Sequence, residues 1–101
     1  MQEHLDLVLA QDFAAAYDYL SPGYRSGVSL ADYQREQFSR PARFVDGTLG
    51  ESVCSEGVCK VRVFVDYVIY GAVPGVSEFK SKSAYDERWL EIEGVWYLVP
   101  E

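Results

Sequence analysis

A chain of 101 residues, 49% hydrophobic and 15% aromatic, is long enough for one domain with one core and too apolar to be disordered. It contains no apolar run near the roughly 18 residues that a membrane span requires. Sixteen acidic against nine basic residues give a net charge of −7, which repels phosphate backbones and anionic lipid surfaces and argues against nucleic acid as a partner.

The first helical stretch is predicted over residues 3–20, with Leu5, Leu9, Phe13, Ala16, Tyr17 and Leu20 at spacings of three and four. Asp12 offers an alternative: a bend near Gln11 and a second helix over 13–20 that Asp12 caps. Ser21-Pro22 then stops the helix and starts a short turn, because Pro22 disfavours helical geometry at Ser21 and suits the first helical position after it. Ser29-Leu30-Ala31-Asp32 is a capping-box-like start, so 29–38 reads as another helix, with Leu30, Tyr33 and Phe38 partly inward and Pro41 ending it.

From Phe44 onward the pattern alternates. Strands are expected over 44–54, 58–70, 77–92 and 95–99, the second being the clearest. Its Cys59, Val61, Val63, Val65, Tyr67 and Ile69 share the core face. Glu56-Gly57 and Glu93-Gly94 are two-residue turn signals, and 71–76 is a turn-rich loop. Counted from the first turn, the register places Cys54 opposite Cys59 and Asp46 opposite Tyr67. It also puts Ser52, Gly50, Thr48 and Asp46 on the core face, a poor arrangement that a bulge near Gly47 or Gly50 would repair by turning Val45 or Leu49 inward. The expected fold is α+β: N-terminal helices packed on a strongly curved, four-stranded antiparallel meander, one domain over 1–101.

Cys54 and Cys59 fall at a non-hydrogen-bonded pair, where side chains approach most closely. A disulfide is sterically allowed there, and closing so small a ring is worth about 2 kcal/mol. The alternative is a pair of reduced core thiols. Zinc lacks a fourth ligand, since His4 is the single histidine and is expected at a solvated surface position. No metal or other cofactor is expected. Met1-Gln2-Glu3-His4 has neither a basic n-region nor an apolar h-region. Either the protein is cytoplasmic or an export segment is absent from this chain, and the cysteine hairpin favours a periplasmic or exported protein.

Residues 14–25 (AAAYDYLSPGYR), the helix from Ser29, and the hairpin with Glu87-Arg88-Trp89-Leu90 and Gly94-Val95-Trp96-Tyr97 resemble the NTF2-like (cystatin-like α+β) superfamily, in particular its small exported or lipoprotein-type bacterial members. The resemblance implies a bent sheet wrapping the long helix into a cone, often with a pocket at the open end, and dimers formed through the sheets. It also implies acid–base chemistry in those members that are enzymes. The strands here hold no histidine, so a His-Asp dyad is not supported. A tyrosine-carboxylate site would use Tyr17 as hydrogen-bond donor and Asp46 as base. No residue is assigned a catalytic role.

Tyr17, Asp46, Tyr67, Tyr85 and Trp89 are the candidate pocket residues, giving apolar area with polar tips for a small apolar or amphiphilic ligand. Arg25, Arg35, Arg40 and Arg43 form the one basic concentration. Three function classes are open. The first is a non-enzymatic module binding a small ligand or protein partner. The second is an isomerase-like or cyclase-like enzyme, marked by a buried carboxylate of raised pKa facing a cavity. The third is a structural homodimer domain whose cone is filled by its own aromatics.

Overall fold

A computed structural model describes residues 1–100, apart from the side chains of Ala72, Val73 and Val76. Four short helices, α1 (Gln2–Leu9), α2 (Phe13–Tyr17), α3 (Pro22–Gly27) and α4 (Leu30–Ser39), precede four strands, β1 (Ala42–Ser55), β2 (Val58–Val73), β3 (Val76–Ile92) and β4 (Val95–Val99). The long first helix is broken where Gln11 takes a φ of +57°, and Asp12 caps α2 by accepting from Ala15 N at 3.2 Å. Ser21 caps α3 through Tyr24 N and Ser29 caps α4 through Asp32 N, so each polar residue that preceded an apolar run became a helix start.

The strands pair antiparallel in the order β1-β2-β3-β4. Both two-residue turns form as expected, with positive φ at Glu56 and Gly57 and again at Glu93 and Gly94. The β2–β3 connection is tighter than the predicted loop: Pro74-Gly75 alone joins Val73 to Val76, with Gly75 at φ +81°. The sheet is open and not strongly curled, so the expected cone does not close. Instead the long β2–β3 hairpin gives a molecule of 51 × 31 × 19 Å.

Two register shifts bend β1, between Leu49 and Ser52 and between Phe44 and Asp46. The first turns Leu49 toward Val63 and the core. The second brings Phe44 inward, whereas Val45, the residue expected there, is 53% exposed. Helix α1 lies against β1, with Gly47 beneath the Leu5 side chain, where a Cβ would come within 3.1 Å of it. In α4 only Tyr33 is buried. Leu30 and Phe38 point mostly outward, Phe38 touching Phe13 edge-on at 5.0 Å.

One feature escaped the periodicity. Residues 19–21 run alongside β4 as a parallel bridge, Ser21 N donating to Leu98 O at 2.8 Å and Leu98 N to Tyr19 O at 2.7 Å. This covers one sheet edge with backbone and ties the helices to the sheet. Beneath it Phe13, Leu20, Tyr33, Cys59, Val61, Trp89 and Leu98 form the main core, and Leu5, Val63 and Val65 form a second cluster under α1.

Candidate functional site

Residues of α1, α3 and α4 together with the middle of β3 and the end of β4 line a groove of about 600 Å³. Tyr24, Tyr33, Phe44 and Tyr85 supply aromatic wall, Leu20, Val28 and Leu98 supply aliphatic wall, and His4, Glu36, Arg40 and Glu87 bring polar chemistry. Desolvation pushes the Tyr33 and Tyr85 hydroxyls up to about 12, so both are neutral donors at neutral pH.

His4 and Glu87 set the character of this groove. The alternation that buries Trp89 on β3 also turns Glu87 to the core side, where it is 8% exposed and accepts from Trp89 Nε1 at 3.3 Å. Burial holds its carboxyl above the usual range, against the opposing pull of that hydrogen bond and of the N-terminal ammonium. His4 sits on the inward face of α1 with Leu5 and is 4% exposed, overturning the surface position expected from its place in the chain. Its ring lies edge-on to Trp89 at 5.7 Å and tilted against Tyr19 at 5.9 Å. Neither imidazole nitrogen has a hydrogen-bond partner among the described residues. Desolvation, with the N-terminal ammonium as a lesser cause, pushes the imidazole down to about 4, so it is neutral at pH 7.

The residues expected to form the pocket are only partly brought together. Tyr85 is a groove wall, stacked on Phe44 at 6.2 Å. Trp89, 1% exposed, lies behind the groove as the core residue that His4 and Glu87 both touch. Tyr17 is a fastener: its hydroxyl donates to Val28 O at 2.6 Å and lies 3.3 Å from Arg25 O, locking α2 to the end of α3. Tyr67 is half-buried beside Phe44 and Ser81 and does not line the groove.

Asp46 is exposed, opposite Asp66 rather than Tyr67, and its carboxylate caps Gly47 N at 2.9 Å. The bulge between Leu49 and Ser52 is the physical reason. One extra residue in β1 shifts the register and turns Asp46 to the outer face, into a more open concavity of about 500 Å³ with Phe64, Asp66 and Lys82. The Tyr17–Asp46 acid–base pairing is therefore absent. A buried carboxylate of raised pKa does face a cavity, but it is Glu87.

The Cys54–Cys59 disulfide forms at the expected register, with Cα atoms 4.0 Å apart, Cys59 buried beside Trp89 and Cys54 exposed. The expected basic concentration is dispersed into local contacts. Arg35 pairs with Asp32, Arg40 with Glu36, and Arg25 donates to Leu20 O while lying over the Tyr97 ring. Among the described residues no group of three metal-ligating side chains occurs, and no helix is long and apolar enough to cross a membrane.

No family model and no curated protein matches this chain. Among solved structures it is similar to the solution structure of a SEC-C motif containing protein from Rhodopseudomonas palustris. The TM-score is 0.71 at 11% sequence identity, over 95% of this chain and 69% of that one. At that identity the likeness is one of fold alone. It overturns the kinship read from residues 14–25 and the Trp89–Tyr97 hairpin, since the similar structure is a SEC-C motif protein and nothing points to an NTF2-like member. The motifs behind that reading are capping and turn devices, a Ser-Pro corner and a Glu-Gly hairpin, which any α+β sandwich can use.

Proposed function

We propose that this chain is a binding module that holds a small apolar or amphiphilic ligand in the groove between α4 and β3. The observation that carries this reading is Glu87: a carboxyl group buried to 8% exposure that makes one side-chain hydrogen bond among the described residues, at the wall of a groove lined by aromatic rings. A folded chain rarely buries such a group with so few partners unless something else supplies them. That the aromatics line the groove rather than fill it weighs against an assembly domain whose interior is closed by its own side chains. The bridge at Cys54–Cys59 supports an exported, oxidising setting.

Heteronuclear NMR with a set of amphiphilic fragments tests the proposal. The expected result is a set of saturable shifts confined to His4, Tyr33, Tyr85 and the Trp89 indole. Shifts gathered instead around Phe64 and Asp66 on the outer sheet face, or none at all, would refute it.

A second reading draws on Glu87. A carboxyl that burial holds above its usual range at the wall of a groove is suited to moving a proton to or from a bound ligand, so the groove would then process what it holds. Exchange of a fragment's acidic protons for deuterium, faster with protein than without and abolished by Glu87→Gln, is the expected signature. Exchange at the uncatalysed rate would remove this reading.

A further inference from the structure

The fold leaves the Glu87 carboxylate underused at the groove. Among the described residues Glu87 makes one side-chain hydrogen bond, from Trp89 Nε1, although a carboxylate can accept about four. His4, gathered around the same indole, has both ring nitrogens buried and without a partner among the described residues, so it adds ring packing to this wall and no open acceptor. The neighbouring charges are already matched. Arg40 pairs with Glu36 at 3.4 Å, while Asp86 takes Arg62 at 2.6 Å and Lys60 at 3.4 Å. The N-terminal ammonium pairs with Glu3 at 3.5 Å and acts on His4 and Glu87 through its field.

A ligand entering here is sorted by charge. An anion would meet Glu36, Asp86 and Glu87 with only Arg40 to receive it. A neutral ligand would leave the desolvated Glu87 carboxylate with no directly paired cation, the N-terminal ammonium being paired to Glu3 and acting on it through its field alone. A cation relieves that carboxylate, is attracted to the faces of the tyrosine walls, and is steered in by a chain of net charge −7.

We infer that the groove takes a small amphiphile carrying a protonated primary amine, the ammonium donating to the Glu87 carboxylate, the apolar body lying against Tyr33, Tyr85 and Leu98. This rests on the groove being a ligand site.

Three matched probes separate the two claims: 2-phenylethylamine, 2-phenylethanol and 3-phenylpropionate, each titrated at pH 7 into isotope-labelled protein while the His4 ring and Trp89 indole signals are followed. The amine is expected to shift both signals saturably and to bind more tightly than either analogue. Glu87→Gln, isosteric and checked for an unchanged spectral dispersion, should weaken the amine by about tenfold to a hundredfold, the loss of a charge-assisted hydrogen bond. If the alcohol or the acid matches the amine, or Glu87→Gln binds it unchanged, the amine assignment is wrong while the groove survives. If no probe moves either signal, the groove reading falls as well.

Discussion

The His4 imidazole stands edge-on to the Trp89 indole, 5.7 Å between centroids with the planes at 83°, and this packing keeps the histidine uncharged. The folded chain protonates it near pH 4 and the unfolded chain near 6.5. Between those values the unfolded state binds more protons, so the contribution is complete above about pH 7 and is lost as pH falls through the window. From pH 7 to pH 5 this group should remove about 2 kcal/mol of stability. Glu87 works in the opposite sense, because a raised carboxyl favours the protonated folded form as pH falls. Urea midpoints at pH 7, 6 and 5 for the natural chain and for His4→Phe isolate the histidine, and the variant should show the shallower decline. Equal slopes would mean that His4 titrates normally.

Much of this architecture was legible in the sequence, and the misses share a cause. Caps, turns and alternation are local, so Ser21, Ser29, Glu56-Gly57 and the Cys54–Cys59 register could be placed by counting. The Gly50 bulge was readable because the uncorrected register put polar residues in the core. That same bulge carried Asp46 from the expected pocket to the outer face, whereas the second one, at Val45, has no glycine to announce it and brought Phe44 inward in place of Val45. His4 was missed for another reason: which side of a two-turn helix faces inward depends on how α1 docks on β1, a tertiary fact. The alternation on β3 did place Glu87 on the same side as Trp89, and that signal could have found it.

The disulfide gives a second test. Reduction, or the paired change Cys54→Ser with Cys59→Ser, should cost about 2 kcal/mol by the chain-entropy estimate for so short a ring. For a domain of this size that is a melting point lower by roughly 10 °C, with the fold retained. Cys54 is exposed, so a small reductant reaches the bond without unfolding the protein. A melting curve unchanged by dithiothreitol, with free thiols confirmed, would show that the bridge does not contribute.

Gly47 and Gly50 both lack room for a methyl group, yet their substitutions should differ. A Cβ at Gly47 meets the Leu5 side chain at 3.1 Å, and Leu5 is buried and held between α1 and β1. Gly47→Ala is therefore expected to cost about 1–2 kcal/mol by overpacking. A Cβ at Gly50 falls only 2.6 Å from Phe64 Cε2, but that ring is 48% exposed on the outer face and can swing away. Gly50→Ala should cost less than about 1 kcal/mol. Denaturant midpoints for the two variants decide this, and the reverse order would place the tighter constraint on the outer face.

Tyr17 and Tyr85 should part company in the same way, one fastening the fold and the other facing the ligand. The Tyr17 hydroxyl donates to Val28 O at 2.6 Å, closing a carbonyl that lies past the end of α3. Tyr17→Phe leaves that partly buried acceptor unfilled and should cost about 1–2 kcal/mol. Because Tyr17 does not line the groove, affinity for 2-phenylethylamine should stay within about twofold of the natural chain. Tyr85 makes no side-chain hydrogen bond among the described residues, so Tyr85→Phe keeps the packing and should change stability by about 0.5 kcal/mol or less. Tyr85→Ala removes a groove wall and should weaken the amine severalfold, beyond what its lost packing on Phe44, Leu5, Val63 and Val65 does to stability. Chemical denaturation and amine titration on the same three variants separate the effects. If Tyr17→Phe weakened binding as much as Tyr85→Ala, the ligand would have to sit between the helices rather than at β3.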